Sequence, residues 1–194
     1  MKVRYGIIGL GTISNKFADA VNREKDIELV SVAARDQTRA DEFVKKYKAQ
    51  KAYGSYESLM NDPEVDIIYI GVTHNFHHEL VRQCLSKHKA VICEKPLVLT
   101  KKEAQELVDL AEKNNTLLME AMWTRCMPAY RKAQEWVRAG KIGEVSLINA
   151  SFCFHGTYDP ENRWYNPKLA GGSLFDVGVY PVEFSMGITG EHPS

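Results

Sequence analysis

The sequence shows no excess of charge, no long apolar run and no close pair of cysteines. Lys plus Arg and Asp plus Glu number 25 each, which leaves a formal net charge of zero. Because no overall field favours nucleic acid or a membrane surface, neither is expected as a partner. No run approaches the roughly 18 apolar residues of a membrane-spanning helix, and the N-terminus lacks the apolar core of a signal peptide. A small molecule is the expected partner.

The four cysteines are widely spaced, with no CxxC motif and no other sign of secretion. We therefore expect reduced thiols and a cytoplasmic location. A metal site is not expected either. The run His77-His78-Glu79 has no HExxH spacing and no cysteine partner, and adjacent side chains of a helix point apart, so His77 is expected to pack near a cofactor cleft.

Short apolar runs alternate with longer helical patterns over about the first 120 residues, which predicts an α/β Rossmann fold with a doubly wound parallel sheet. The predicted strands are Val3–Ile8, Ile27–Ala34, Ile67–Val72, Ala90–Cys93 and Thr116–Met119. The predicted helices are Ile13–Asn22, Thr38–Lys46, a short Ser55–Met60, His77–Ser86 and Lys101–Lys113. Thr100 and Glu103 fit a capping box at the start of the last helix.

The pattern changes near Trp123, and we place a domain boundary there, between residues 1–121 and 122–194. A helix is predicted over Ala129–Ala139. A long strand of alternating character is predicted over Val145–Phe154, and a second helix over Ser173–Met186 after a loop rich in Tyr, Pro and Asn.

The first strand leads into a glycine-rich turn that predicts dinucleotide binding. Gly9 permits a tight turn, and Gly11 allows the backbone to approach a pyrophosphate at the start of the helix, where Thr12 and Ile13 lie. The third position of this fingerprint is Ser14 rather than Gly or Ala, and a small hydroxyl side chain still permits close packing of helix on strand.

The residues after the second strand bear on the choice of cofactor. An acid there would bind the ribose hydroxyls of NAD, whereas this chain has Ala33-Ala34-Arg35-Asp36. Arg35 offers a planar fork to a 2′-phosphate, which favours NADP. Asp36 keeps NAD open as an alternative, since it could bind a ribose, and Arg35 could also be a solvated charge.

Two further motifs carry groups suited to proton transfer. Lys95 follows the strand Ala90–Cys93 within Glu94-Lys95-Pro96, at the edge of the sheet where ligands of such folds bind. Asp176 and Tyr180 are four residues apart on one predicted helix, so that both project from one face. A lysine near the phenol would lower the pKa of Tyr180 and suit it to act as a general acid or base.

Taken together, the motifs resemble the glucose-fructose oxidoreductase/inositol dehydrogenase (Gfo/Idh/MocA) family, and most closely its dihydrodiol dehydrogenase branch. The segments that carry the resemblance are Gly9–Ser14, Ala33–Asp36, Lys51–Leu59, Glu94–Pro96, Met119–Arg125 and Gly171–Tyr180. The resemblance implies NADP-dependent hydride transfer between a secondary alcohol and a carbonyl of a sugar-like or cyclic diol or dicarbonyl substrate.

The same resemblance implies the roles of individual residues. Tyr180 would be the acid or base, Lys95 would support it, and Asp176 would position the substrate. The implied cofactor contacts are Gly9, Gly11, Thr12, Ile13, Arg35, Thr73, His74, Glu94 and Lys95. The implied substrate contacts are Trp123, Arg125 and Trp164. The segment after Thr73 departs from the family, whose members usually carry a Thr-Pro loop there.

Several alternatives remain open. Trp123, Trp164 and Tyr165 could form a wall for a substrate ring or belong to an interdomain core. Family members continue past this length through a mostly antiparallel sheet that forms a homo-oligomer, so residues 122–194 are expected to be the first part of a truncated α+β domain. The chain could accordingly be a fragment of a longer dehydrogenase, a natural truncation, or a non-catalytic nucleotide-binding or redox-sensing module.

Overall fold

The computed structural model describes residues 2–191, and the chain divides into two compact units, Met1–Ala121 (unit 1) and Met122–Ser194 (unit 2). Within the described residues, unit 1 contains six strands and five α-helices. The strands are β1 (Val3–Ile8), β2 (Ile27–Ala33), β3 (Lys51–Tyr53), β4 (Ile67–Ile70), β5 (Ala90–Cys93) and β6 (Leu118–Glu120). The helices are α1 (Thr12–Val21), α2 (Gln37–Tyr47), α3 (Tyr56–Met60), α4 (His77–Ser86) and α5 (Lys101–Lys113).

The strands form one sheet in the order β3-β2-β1-β4-β5-β6, and every neighbouring pair is parallel. This confirms the predicted α/β fold with a parallel sheet. The sequence reading missed β3, because a strand of three residues is too short to show periodicity and forms only by pairing with the end of β2.

The sheet is buried on both faces. Ile7 belongs to one hydrophobic cluster and its neighbour Ile8 to another, because successive side chains of a strand point to opposite faces. Both are fully buried, as are Ile68 and Ile70 of β4. The central strands therefore read as continuous apolar runs, as parallel sheets covered by helices require.

A buried carboxylate joins the loop after α3 to β2 and β3. Asp62 is 3% exposed, and its oxygens accept hydrogen bonds from Ser31 Oγ (2.6 Å), Lys51 Nζ (3.0 Å) and Tyr53 Oη (3.1 Å). Desolvation acts to raise the pKa of Asp62, but these bonds and one from the Glu64 N–H outweigh it and hold that pKa at about 2. The cluster therefore stabilises the ionised form of Asp62.

Helix starts in unit 1 use side-chain caps. Thr100 accepts a hydrogen bond from the Glu103 N–H, and the Glu103 carboxylate accepts one from the Thr100 N–H, which confirms the predicted capping box at α5. Asp36 caps α2 and Ser55 caps α3, in each case through one side-chain oxygen that accepts a hydrogen bond from a backbone N–H.

Within residues 122–191, unit 2 contains two α-helices, α6 (Pro128–Arg138) and α7 (Val179–Thr189), and a π-helical turn, Leu174–Gly178, immediately before α7. Short 3₁₀ turns lie at Trp123–Cys126 and Pro167–Leu169. Gln134 of α6 donates to the Gly187 carbonyl of α7 at 2.8 Å. A Cβ atom on Gly187 would collide with the Tyr130 hydroxyl, so the close approach of α6 and α7 requires glycine there.

Two predictions for unit 2 need correction. The predicted strand Val145–Phe154 is wrong, because residues 145–154 have no regular secondary structure. A strand needs a neighbouring backbone for its N–H and C=O groups, and the described part of unit 2 supplies no ladder to this segment. The predicted single helix Ser173–Met186 is instead a π turn followed by α7.

No strand occurs in unit 2 within residues 122–191, so the expected antiparallel sheet stays a prediction. Among the helices of residues 2–191, none is long and apolar enough to cross a membrane.

Candidate active site

The glycine-rich turn joins the carboxyl end of β1 to α1. Gly9 adopts φ +82°, a conformation that L side chains rarely adopt, and a Cβ atom there would also press on Val72 Cγ1 at 2.5 Å. Its N–H donates to the Ala33 carbonyl at the end of β2. Ser14 is fully buried, and its hydroxyl donates to the Gly9 carbonyl at 2.5 Å. Ser14, at the third fingerprint position, thus stabilises the turn through this hydrogen bond.

Gly11 differs from Gly9 because the described residues around it give little steric reason for glycine. Among those residues, apart from its chain neighbours, a Cβ atom on Gly11 would meet one atom within 4 Å, the Gly71 carbonyl oxygen at 3.9 Å. Gly11 is the N-cap of α1 and provides no side-chain cap, and Thr12 and Ile13 of the first turn are exposed. The start of α1 therefore offers space, N–H groups and a helix dipole, which suits a pyrophosphate.

Asp36 and Arg35, the acidic and the basic candidate for cofactor choice, follow the end of β2 and differ in their contacts. The Asp36 carboxylate accepts a hydrogen bond from the Thr38 N–H at 2.9 Å and so caps α2. Arg35 is exposed. Arg39, which the sequence reading did not select, donates from Nη2 to the Leu10 carbonyl at 3.3 Å, within the glycine-rich turn. The Arg39 guanidinium therefore adjoins the glycine-rich turn, and Arg35 lies four residues before it in the sequence.

The loop after β5 is held from several sides. Tyr69 of β4 donates its hydroxyl to Glu94 Oε1 at 2.6 Å, and burial together with the nearby Glu94 charge raises the pKa of that phenol. Glu120 of β6 accepts a hydrogen bond from the Leu97 N–H at 2.7 Å. Lys95, which precedes a cis proline, is half-buried between these two anchors. The backbone on either side of Lys95 is thus preorganised.

His77 provides a third anchor for this loop. It is fully buried, with Nδ1 2.8 Å from the Pro96 carbonyl oxygen and Nε2 3.1 Å from that of Val72. Burial lowers the pKa of His77, and a neutral imidazole has one N–H, so it donates to one of these carbonyls at a time. His78 points elsewhere and contacts Glu106 at 3.1 Å, as expected for adjacent side chains of a helix.

Thr73 and His74 lie at the carboxyl end of β4. Thr73 starts a 3₁₀ turn, His74–Phe76, and its carbonyl accepts from the Phe76 N–H at 3.0 Å. His74 is 8% exposed, and its ring lies edge-on to that of His77 with centroids 5.7 Å apart. This segment therefore adjoins the His77 anchor.

In unit 2, Tyr180 lies in an aromatic setting. Trp123 Nε1 donates to the Tyr180 hydroxyl oxygen at 3.0 Å, and the two rings meet edge-on at 5.9 Å. The Phe152 ring is also close to Tyr180, with its centroid 4.9 Å away and the planes tilted by 40°. The predicted acid or base thus contacts a residue that was predicted to contact substrate.

Asp176 lies in the π turn that precedes α7. Its Oδ1 accepts from Arg163 Nη1 at 3.1 Å, and its side chain is 13% exposed. A π turn inserted at the start of a helix frequently marks a functional site. Asp176 is therefore a partly enclosed carboxyl group that is paired with Arg163.

A second carboxylate, Glu183 of α7, organises the start of unit 2. Although it is only 8% exposed, it accepts from Arg125 Nε (2.6 Å), Tyr130 Oη (2.7 Å) and Thr124 Oγ1 (3.1 Å). Burial first, and the bond to Glu183 second, raise the pKa of Tyr130 to about 12. Arg125, predicted as a substrate contact, is thus an ion-pair partner of α7 through its Nε.

Trp164 and Tyr165 make aromatic contacts within unit 2. The Trp164 ring meets Phe154 edge-on at 5.1 Å, and the Arg163 guanidinium lies 5.8 Å from its centroid. Tyr165 meets Tyr158 in the same manner at 5.1 Å. The substrate-wall and core interpretations of these residues both stay open as predictions.

The structure thus groups the predicted residues into two sets. In unit 1, the turn residues and Glu94-Lys95 lie at the carboxyl ends of β1 and β5, and in unit 2 Trp123 lies on Tyr180. The sequence reading missed Tyr69, Glu120 and Arg39. The first two are a strand phenol and a strand carboxylate with no local motif, whereas Arg39 could have been found as the basic residue one helical turn after Arg35.

Comparison with protein-family models identifies the class of protein. Residues 3–122 match the oxidoreductase family with an NAD-binding Rossmann fold (Gfo/Idh/MocA), and residues 130–194 match the C-terminal domain of the same family. The chain belongs to this oxidoreductase family, which confirms the resemblance read from the sequence.

Among curated proteins, the chain is similar to trans-1,2-dihydrobenzene-1,2-diol dehydrogenases. It is 39% identical to the protein from Xenopus tropicalis and to that from Homo sapiens, over 100% of this chain and 59% and 58% of theirs. The chain therefore spans somewhat more than half the length of these relatives.

The chain is also similar to solved structures of oxidoreductases. KijD10, a 3-ketoreductase from Actinomadura kijaniata solved with NADP and TDP-benzene, is 28% identical with a TM-score of 0.89, over 97% of this chain and 58% of that one. An aldose-aldose oxidoreductase from Caulobacter crescentus, solved with glycerol, is 25% identical with a TM-score of 0.85, over 100% and 59%.

Proposed function

We propose that this chain provides the cofactor-binding domain and part of the substrate domain of an NADP-dependent oxidoreductase. The reaction would interconvert a secondary alcohol and a carbonyl of a sugar-like or cyclic diol or dicarbonyl substrate. The observation that carries the proposal is the open space at Gly11. Gly11 lies at the start of α1, which has no side-chain cap and follows a strand of the parallel sheet. A protein that needed only a tight turn would require glycine at Gly9 alone.

The dinucleotide fits the residues present. Its pyrophosphate would lie against the N–H groups at the start of α1, with Gly11, Thr12 and Ile13 around it. Thr73, His74, Glu94 and Lys95 would bind the rest of the cofactor. When bound, NADP(H) supplies or accepts the hydride.

NADP is preferred to NAD on two observations. Asp36 uses a carboxylate oxygen to cap α2, whereas a ribose-binding acid must turn toward the nucleotide. Arg35 is exposed just after β2, and the Arg39 guanidinium adjoins the glycine-rich turn, so that both could bind a 2′-phosphate. The relative KijD10, which was solved with NADP, supports the same preference.

The proposed roles in proton transfer follow from the two sets of residues. Tyr180 gives a proton to the carbonyl oxygen in reduction and takes it back in oxidation. Lys95, an ammonium on a preorganised loop, stabilises negative charge on that oxygen. Asp176 orients a substrate hydroxyl, and Trp123, Arg125 and Trp164 form the surroundings of the substrate.

Turnover tests the catalytic roles. NADPH oxidation would be screened against dicarbonyls, keto sugars and diols with the protein and with Tyr180→Phe and Lys95→Met. General acid–base catalysis is worth roughly 10²- to 10⁴-fold, so we expect Tyr180→Phe to lower kcat at least about 100-fold while NADPH affinity stays within about twofold. Full turnover in both variants would overturn the assignment, and NADPH binding without turnover of any substrate would support a redox-sensing module instead.

Cofactor affinity tests the choice of NADP. We expect Arg35→Ala and Arg39→Ala each to weaken NADPH binding about tenfold or more and NADH binding much less, because a charge-assisted bond contributes about 1.5–3 kcal/mol. Arg23→Ala, at an exposed arginine after α1, is the matched control. Equal losses for both cofactors would contradict a 2′-phosphate clamp.

We also infer a homo-oligomer formed through the sheet of the second domain, and a cytoplasmic location. The family resemblance supports the first inference. The free thiols of Cys84, Cys93, Cys126 and Cys153 support the second. Light scattering on the purified protein measures the oligomer.

A further inference from the structure

The hydrogen bond between Trp123 and Tyr180 has a fixed direction. An indole N–H is a donor only, so in the 3.0 Å contact the Tyr180 oxygen must be the acceptor. A neutral phenol then keeps its own O–H for another acceptor. The contact thus orients the one proton that Tyr180 can transfer.

The rings around Tyr180 limit how the phenol can turn. The Trp123 ring meets the phenol edge-on, with the planes at 67°, and the Phe152 ring is tilted by 40° with its centroid 4.9 Å away. Both neighbours are about half-exposed, at 49% and 46%. The phenol is therefore held by two rings that remain open to a ligand.

We propose that Trp123 is the positioning residue for proton transfer by Tyr180, because its indole N–H holds the phenol oxygen in place and stabilises the phenolate that proton transfer creates. This inference rests on the proposed function, in which Tyr180 is the acid or base. It assigns Trp123 a role that is distinct from contacting the substrate.

In reduction, the carbonyl carbon would accept the hydride that bound NADPH supplies, which leaves NADP⁺, and the Tyr180 O–H bond breaks as its proton bonds to the carbonyl oxygen. The substrate leaves as an alcohol, and Tyr180 remains as a phenolate. A donor already aimed at that oxygen stabilises the new negative charge without reorganisation.

The segments that carry Trp123 and Tyr180 include two ion pairs. The titratable residues near Trp123, Phe152 and Tyr180 in the sequence are Arg125, Cys126, Cys153, His155, Asp176 and Glu183. Arg125 is paired with Glu183 at 2.6 Å, and Asp176 is paired with Arg163 at 3.1 Å. Replacing Trp123 by Phe removes an N–H donor and alters neither ion pair.

The first experiment is the pH profile of kcat for the protein and for Trp123→Phe. Loss of one neutral hydrogen bond to a developing charge corresponds to roughly a tenfold change in an equilibrium constant. We expect kcat to fall about tenfold at neutral pH and the limb of the profile that reports Tyr180 to move up by about one pH unit. Trp136→Phe, at a half-exposed indole on α6 that contacts Lys132, is the matched control and should change neither.

The second experiment does not depend on turnover. Tyrosinate absorbance would be titrated for the protein and for Tyr180→Phe, and their difference isolates Tyr180. The same pair would be titrated with Phe at position 123. We expect the midpoint of the Tyr180 titration to lie about one pH unit higher when Trp123 is replaced.

The outcomes separate this inference from the proposed function. Coincident pH profiles and coincident Tyr180 titrations for the protein and Trp123→Phe would overturn the role of Trp123, even if Tyr180→Phe abolishes turnover. If Tyr180→Phe retains full turnover, the proposed function fails at its acid or base. A fall in kcat/KM through KM alone, with no movement of either pH curve, would make Trp123 a substrate contact only and would also overturn the inference.

Discussion

Unit 1 and unit 2 stabilise their candidate functional groups in different ways. In unit 1, the glycine-rich turn and the Lys95 loop follow strands that end in the completely buried side chains Ile8 and Cys93. In unit 2, Trp123 and Tyr180 lie on short turns and one helix start, held by side-chain bonds around Glu183. The candidate cofactor-binding residues thus extend from a buried sheet, whereas the candidate proton-transfer residues lie in a region held by side-chain hydrogen bonds.

The apolar side chains of unit 1 are also more deeply buried than those of unit 2. Leu59 of unit 1 is 0% exposed and packs in a large cluster, whereas Leu147 and Leu174 of unit 2 are 84% and 63% exposed. Hydrophobic stabilisation follows the area that is removed from water. Unit 1 should therefore account for most of the hydrophobic stability of the described chain.

The largest expected effect compares one leucine from each unit. Leu59→Ala should lower the free energy of unfolding by about 3 kcal/mol, because it leaves a cavity in a packed core. Leu147→Ala should change it by less than about 0.5 kcal/mol. Denaturant unfolding followed by circular dichroism measures both, and equal losses would refute the contrast between the units.

The next effect concerns the polar centre of unit 2. Glu183→Ala removes the shared acceptor of Arg125 and Tyr130 and should cost about 2 kcal/mol, less than a fully buried pair because Arg125 is 57% exposed. It should also bring the pKa of Tyr130 down from about 12 toward its usual value near 10. Glu144→Ala, at an exposed glutamate of the same unit, should do neither.

A pH-dependent effect belongs to unit 1. The pKa of Asp62 is lowered from its ordinary value of 3.8 to about 2, so the folded state favours the ionised form of Asp62 more than the unfolded state does. The resulting stability, about 2 kcal/mol at 1.36 kcal/mol per pKa unit, is fully present above about pH 4 and is lost as the pH falls toward 2. Urea midpoints measured across that range should show the loss, and Asp62→Asn should remove that part of the slope.

The smallest expected effect separates the two glycines of the turn. Gly9→Ala should cost at least about 1 kcal/mol of stability, since it combines a positive φ with a clash. Gly11→Ala should change stability by less than about 0.5 kcal/mol but weaken NADPH binding, because its Cβ atom meets little of the protein. Thermal unfolding with and without NADPH measures both. If Gly11→Ala proves as destabilising as Gly9→Ala, the space at Gly11 serves packing and not a ligand.

The sequence predicted unit 1 better than unit 2, and the reason is physical. The parallel strands and long helices of unit 1 have strong apolar periodicity, and Thr100 with Glu103 is a local capping signal. Residues 145–154 alternate like a strand, but alternation alone cannot supply the neighbouring backbone that a strand requires. The candidate residues Lys95, Asp176 and Tyr180 came from motifs, and their roles remain proposals.

Some properties of this protein were therefore determined by the sequence alone. The strand-turn-helix around Gly9 and Gly11 and the α/β order of elements are local, because backbone conformation and periodicity depend on near neighbours. Tertiary structure decided the rest: that Arg39 reaches the Leu10 carbonyl in the glycine-rich turn, and that Trp123 donates to Tyr180. Such contacts join residues up to 57 positions apart, and only the folded chain brings them together.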